Sequence, residues 1–190
     1  MKPWATIILA IGIGLAVGFG CSVPSHAQED RVTRAMTIFT EACGQFAGKP
    51  AELRVHLAQR FQRMPGSEEK ELLEGYAGQV WHTPEPKPDQ RYTVYSYDDG
   101  ECAVEASDMP ADPMRAVMRG LFFKFGRADS SHVELRSDKV VSGSDQETRT
   151  FVFVASKQNE KRGVQYMLVT LTNKEQQLIR LSTTLTDMTP

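Results

Sequence analysis

Apolar residues recur along this chain at two periods, and the chain switches between them. Over residues 30–47, Val32, Ala35, Met36, Phe39, Ala42, Cys43 and Phe46 fall three and four apart and draw one stripe of a helix. Cys43 therefore points toward the core. Gly48 and Pro50 punctuate the end of this segment. A second helix is expected over 51–63, with Leu53, Leu57, Phe61 and Met64 as its stripe, and Pro65-Gly66 stops it. Ser67 then caps a third, with Glu68 and Glu69 in its first turn and Leu72, Leu73, Tyr76 and Val80 on its buried side. Residues 82–90 alternate proline with charge (Pro84, Glu85, Pro86, Lys87, Pro88, Asp89), which predicts an extended connector too short to separate domains.

The period drops to two over 91–106. Asp99-Gly100 is a favoured pair for a two-residue type I′ turn. That turn sets Tyr97 opposite Cys102, Tyr95 opposite Val104 and Thr93 opposite Ala106. Tyr95, Tyr97, Cys102 and Val104 then share an apolar face, and Ser96, Asp98, Glu101 and Glu105 share a polar one. Cys102, like Cys43, is expected to face the core.

Asp112-Pro113 opens another helix, with Met114, Val117, Met118, Leu121, Phe122 and Phe125 at helical spacing and Gly126 at its end. Strands follow near 132–141, 149–156, 164–172 and 177–186. Their short connections predict an antiparallel meander, with residues 151–155, apolar throughout, as a central strand. The order predicts an α+β domain: an antiparallel sheet of about six strands with helices packed on one face.

The first 27 residues change the picture most. Lys2 is followed by an apolar, glycine-rich run over 5–20, and Ser25-His26-Ala27 offers small residues at −3 and −1 of a cut. This is the order of a secretory signal peptide. The run, about 16 residues, falls short of the ~20 that span a hydrocarbon core. Cleavage after Ala27 leaves residues 28–190 as a single periplasmic domain. Lipidation at Cys21, after Gly18-Phe19-Gly20, is the alternative, and an uncut anchor is the third reading.

The formal net charge of −2 over 190 residues, with charges of both signs mixed, argues against a nucleic-acid partner and supplies no polybasic patch for anionic lipid. Membrane contact is expected only through the signal or a lipid on Cys21. With Cys21 gone, Cys43 and Cys102 remain, and two cysteines in an exported domain most often pair. Closing that loop contributes about 4 kcal/mol in the chain-entropy model. No CxxC occurs, so thiol exchange is not expected.

Catalytic and ligand motifs are sparse. His56, His82 and His132 lie apart, with no HExxH and no zinc-type Cys/His spacing, so neither a metal nor a cofactor is expected. Asp98-Asp99-Gly100-Glu101 is far shorter than a calcium loop and is explained by turn chemistry. Ser67-Glu68-Glu69-Lys70 matches SxxK, but the partner SDN and KTG motifs are absent. Tyr76, Trp81 and Tyr92 flank the proline segment. Trp81 is expected at the end of the third helix and Tyr92 on the polar side of the hairpin. Together they form a candidate interaction patch, because aromatic side chains dominate interface energetics.

The layout resembles small uncharacterised exported proteins of Gram-negative bacteria, with one cysteine in a helical segment (Phe39…Cys43…Phe46) and a second on a hairpin (Asp99-Gly100-Glu101-Cys102). The resemblance implies an envelope location and a disulfide, and no activity. The expected function is a non-enzymatic binding or interaction module whose partner is another envelope or secreted protein. Two alternatives remain. One is a small hydrolase joining His82 or His132 to a carboxylate and a serine. The other is a lipid or lipoprotein handler with a cavity lined by Tyr95, Tyr97, Val104, Met118 and Phe122.

Overall fold

A computed structural model describes residues 26–85, 91–128, 131–173 and 176–188. Residues 1–25 of the expected signal (1–27) and residues 86–90 of the proline connector lie outside the described residues. One eight-stranded sheet runs through the domain, every neighbouring pair antiparallel, in the order β1-β2-β3-β4-β8-β7-β6-β5. The strands are β1 (Gln62–Arg63), β2 (Gly78–His82), β3 (Tyr92–Tyr97), β4 (Cys102–Ser107), β5 (Ser131–Ser142), β6 (Gln146–Lys157), β7 (Arg162–Asn173) and β8 (Gln177–Asp187). Two four-strand meanders thus meet where β4 pairs with β8. The helix α4 (Ala111–Gly126) carries the chain from the centre of the sheet to its far edge at β5.

The fold class is α+β as expected, but the sheet has eight strands rather than six. The extra strands come from residues read as helix. α3 (Gly66–Leu73) stops where Glu74 and Gly75 turn left-handed, at φ 49° and 90°. Val80 and Trp81, β-branched and aromatic, then enter β2 instead of continuing a helical stripe. Nor does Ser67 cap α3: the helix starts one residue earlier, after Pro65, with no side-chain cap. β6 is next to the edge strand rather than central, although residues 151–155 are all buried.

Helices cover both faces, not one. α1 (His26–Phe39) runs into a π-helical turn, Thr40–Gly44. With α2 (Pro50–Ala58) and α4, it lays Val32, Phe39, Leu53, Leu57, Met114 and Met118 on one face of the sheet. The facing strand residues are Val94, Val104, Phe153, Leu168, Ile179 and Leu181. Full burial of such side chains stabilises by about 1.5–3 kcal/mol each. The wide π turn brings Ala42 and Cys43 inward together, and Cys43 is bonded to Cys102 across a sequence separation of 59. This disulfide was expected from the inward orientation of both residues. α3 lies on the opposite face, where Leu73 and Leu72 pack with Val80, Tyr95, Tyr97 and Ala103 in a second, smaller core.

That second core exists because the hairpin is one residue out of its expected register. Ser96, not Tyr97, lies opposite Cys102, and Val94, not Tyr95, lies opposite Val104. The turn has three residues rather than two. The Gly100 N–H donates to the Tyr97 carbonyl at 3.2 Å, and Gly100 takes the left-handed conformation at φ 93°. This is the type I turn with a glycine bulge. A slip of one residue on one strand turns its side chains over. Tyr95 and Tyr97 therefore leave the main core, while Cys102 and Val104 keep the face expected of them.

Candidate functional site

The turned-over tyrosines form the floor of a cavity of about 650 Å³. Register dictates what surrounds them. His82, Thr93, Glu105 and Arg180 follow one another across β2, β3, β4 and β8 in a single row on the α3 face. The neighbouring row carries Val80, Tyr95, Ala103 and Ser182. Beyond it, Gly78 pairs with Tyr97. A Cβ at Gly78 would meet the Ser96 carbonyl oxygen at 2.8 Å, so this position needs glycine. Glu71, Leu72 and Leu73 of α3 and Glu74 at its end close one wall, and Tyr76 stands at the mouth.

Arg180 organises the interior. Its guanidinium carbon lies 4.8 Å from the centre of the Tyr95 ring and 5.6 Å from that of Tyr97. Its Nη2 donates to the Tyr97 hydroxyl at 2.8 Å. It also pairs with Glu101 at 3.8 Å and Glu105 at 3.7 Å. Tyr95 and Tyr97 stack with centres 5.9 Å apart and planes 6° from parallel, and the Tyr95 hydroxyl donates to Glu105 at 3.4 Å. Tyr76, 69% exposed, meets Tyr97 edge-on at 6.0 Å.

Burial sets the proton affinities here. Loss of water pushes the carboxyls of Glu101 and Glu105 above the ordinary carboxylate value, against the pull of Arg180. The phenols of Tyr95 and Tyr97 are pushed up by the same cause, and Glu105 adds to the shift of Tyr95. Burial draws Arg180 down, but Tyr97, Glu105 and Glu101 together hold it above its usual value. The site is thus a preorganised set of ring faces and hydrogen-bonding groups. Among the described residues no three or more His, Cys, Asp and Glu come together to hold a metal ion.

The aromatic residues singled out from the sequence are not brought together. Trp81 lies in β2, not at a helix end, and is 2% exposed on the face covered by α1 and α4. Tyr92, at 1% exposed, is on that same face because the register slip moves it off the polar side; its hydroxyl donates to the Arg31 carbonyl at 3.1 Å. Of the three, only Tyr76 is at the cavity. The residues expected to line a lipid cavity are divided too. Val104 and Met118 are fully buried in the main core with Phe122 packed against it, while Tyr95 and Tyr97 are across the sheet.

Among the histidines, His132 is exposed on β5, and the ring of His56 lies 5.1 Å from that of Phe46. His82 is in a smaller cleft of about 120 Å³ that also contains Glu105 and Ser107, beyond the same Glu105 that walls the larger cavity. His82 Nδ1 lies 2.9 Å from the carbonyl of Thr83. The Asp99 carboxylate accepts from the Glu101 N–H at 3.0 Å, the turn role expected of it.

Sequence reasoning missed Arg180, Glu101 and Glu105 as site residues. Glu105 and Arg180 sit at polar positions of alternating strands and Glu101 follows the turn just before β4, which looks like an ordinary solvated face. The available signal was Arg180 itself, a lone cation between Ile179 and Leu181. No family model matches the chain, and no curated protein matches it in sequence.

Proposed function

We propose that this chain is an exported, non-enzymatic binding module of the bacterial envelope, with the tyrosine-floored cavity as its ligand seat. In this reading residues 1–27 direct export and are removed after Ala27, and the domain over 28–190 works in the periplasm against another envelope or secreted protein. Lipidation of Cys21 would keep the same domain at a membrane surface. The Cys43–Cys102 bond supports an oxidising compartment.

One observation carries the reading: five polar or aromatic side chains of the sheet and its hairpin turn (Tyr95, Tyr97, Glu101, Glu105, Arg180) are locked together around a cavity of ligand size. A photo-reactive residue at Tyr76 tests it in living cells. The reading expects one discrete cross-linked product there and none from the same residue at Val140, which is exposed on β5. No product from position 76 would contradict it.

A second reading, a small hydrolase, is supported by the cleft that joins His82, Glu105 and Ser107. A fluorophosphonate probe should then label Ser107, and His82→Ala should abolish the labelling. An unlabelled Ser107 counts against it.

A further inference from the structure

The cavity's charge and its aromatic surface point to the same class of ligand. Its lining contains five carboxylates, of Glu71, Glu74, Asp99, Glu101 and Glu105, and a single guanidinium, that of Arg180. Arg180 is committed to Glu101, Glu105 and Tyr97. Glu71 on α3 and Glu74 just past its end are exposed at the mouth, where no side-chain cation pairs with them among the described residues. The excess negative charge is spread over α3 and its end, the hairpin turn and β4, and among the described residues no three of these carboxylates gather to hold a metal ion. Three tyrosines (Tyr76, Tyr95, Tyr97) and three leucines (Leu72, Leu73, Leu178) complete the lining.

We infer that the cavity receives an organic cation, a primary alkylammonium or guanidinium group, between the Glu71 and Glu74 carboxylates and the exposed Tyr76 ring. This rests on the reading of the cavity as the ligand seat. Arg180 displays the same chemistry inside the molecule: a guanidinium over the face of Tyr95, flanked by carboxylates. Cations over tyrosine faces are held by the ring quadrupole, more strongly as water is excluded. An incoming cation at the mouth meets Tyr76 and neutralises carboxylates that no side-chain cation pairs with among the described residues. An anionic ligand would meet repulsion from the whole outer wall. The group has two sources, a free polyamine or a lysine or arginine side chain of a partner protein.

Calorimetric titration of the full exported protein separates these. The probes are a tetralysine peptide, spermidine and a tetraglutamate peptide. Tetralysine or spermidine should bind and tetraglutamate should not. Glu71→Gln with Glu74→Gln, and separately Tyr76→Ala, should each weaken cation binding tenfold or more. Glu52→Gln with Glu160→Gln, which removes the same charge elsewhere on the surface, should change it less than twofold. Tetralysine tenfold tighter than spermidine assigns the source as a protein side chain, and the reverse assigns a polyamine. Absence of cation binding, or equal weakening by both double variants, overturns the inference. If cations fail but Tyr76→Ala still strips the ligand from protein taken from its envelope, the ligand class is wrong and the seat stands. If that ligand stays on Tyr76→Ala, the seat itself is refuted.

Discussion

The guanidinium of Arg180 lies 4.8 Å from the centre of the Tyr95 ring while pairing with Glu105 at 3.7 Å, so one cation serves both the aromatic floor and the acidic wall. Arg180→Met removes it and leaves two half-buried carboxylates, Glu101 and Glu105, without their counter-charge. Breaking such a pair from one side is costly, and partial exposure reduces the cost to about 2 kcal/mol. The loss should be largest at neutral pH and shrink in acid as the two carboxyls protonate. Urea unfolding at several pH values measures it. Adding Glu105→Gln to Arg180→Met should recover part of the stability.

Tyr95 controls behaviour in alkali. Its phenol is raised above the ordinary value of 10.0, chiefly by burial. The folded state therefore keeps a proton that the unfolded chain releases near pH 10. The stability this contributes is fully present below pH 10 and is lost as the pH rises beyond it. Tyr95→Phe should flatten that alkaline decline in a thermal-denaturation series. At neutral pH it should cost about 1 kcal/mol for the hydroxyl's bond to Glu105. An alkaline decline equal to that of the wild type would mean that other groups set it.

Gly100 holds the register that creates the site. Its φ is 93°, and a Cβ there would sit 3.0 Å from the Cα of Gly48, whose N–H donates to the Gly100 carbonyl at 3.2 Å. Gly100→Ala combines a left-handed alanine with a backbone clash and should cost about 2 kcal/mol or more. Gly120→Ala, with open space around the new Cβ inside α4, should instead stabilise by up to about 1 kcal/mol. Paired urea titrations of the two variants give opposite signs if both arguments hold.

The Cys43–Cys102 bond ties the π-helical turn to β4. Protein isolated from the cells that make it should have an intact mass two hydrogens below that of its reduced form. Cys43→Ala with Cys102→Ala should lose about 2–4 kcal/mol, because the unfolded chain regains the entropy of a long open loop. An unchanged mass on reduction would contradict the oxidised state.

Much of this fold was legible because its strongest signals are local. The stripes of α1 and α4 and the alternation of β5–β8 each depend on side chains within one element. Cys43 and Cys102 were placed facing inward separately and meet as expected. The misreadings share a cause. Tyr76 and Val80 continue a helical spacing past Leu73, and only the left-handed Glu74 and Gly75 break it. Asp99-Gly100 suits two turn lengths, and the extra turn residue decides which face Tyr95 and Tyr97 occupy. The candidate site was hidden for the same reason. Its members, from Glu71 to Arg180, are assembled by a strand register and by a helix crossing to the second face, and neither leaves a mark at the level of single residues.

The central claim is that ligand is held at the mouth formed by α3 and Tyr76. Native mass spectrometry of the protein taken from the cells that make it tests this most directly, with wild type and Tyr76→Ala side by side. The account predicts a bound mass on the wild type that is absent or strongly depleted on the variant, both proteins being equally folded. The same bound mass on both, or no bound mass on the wild type, would contradict it.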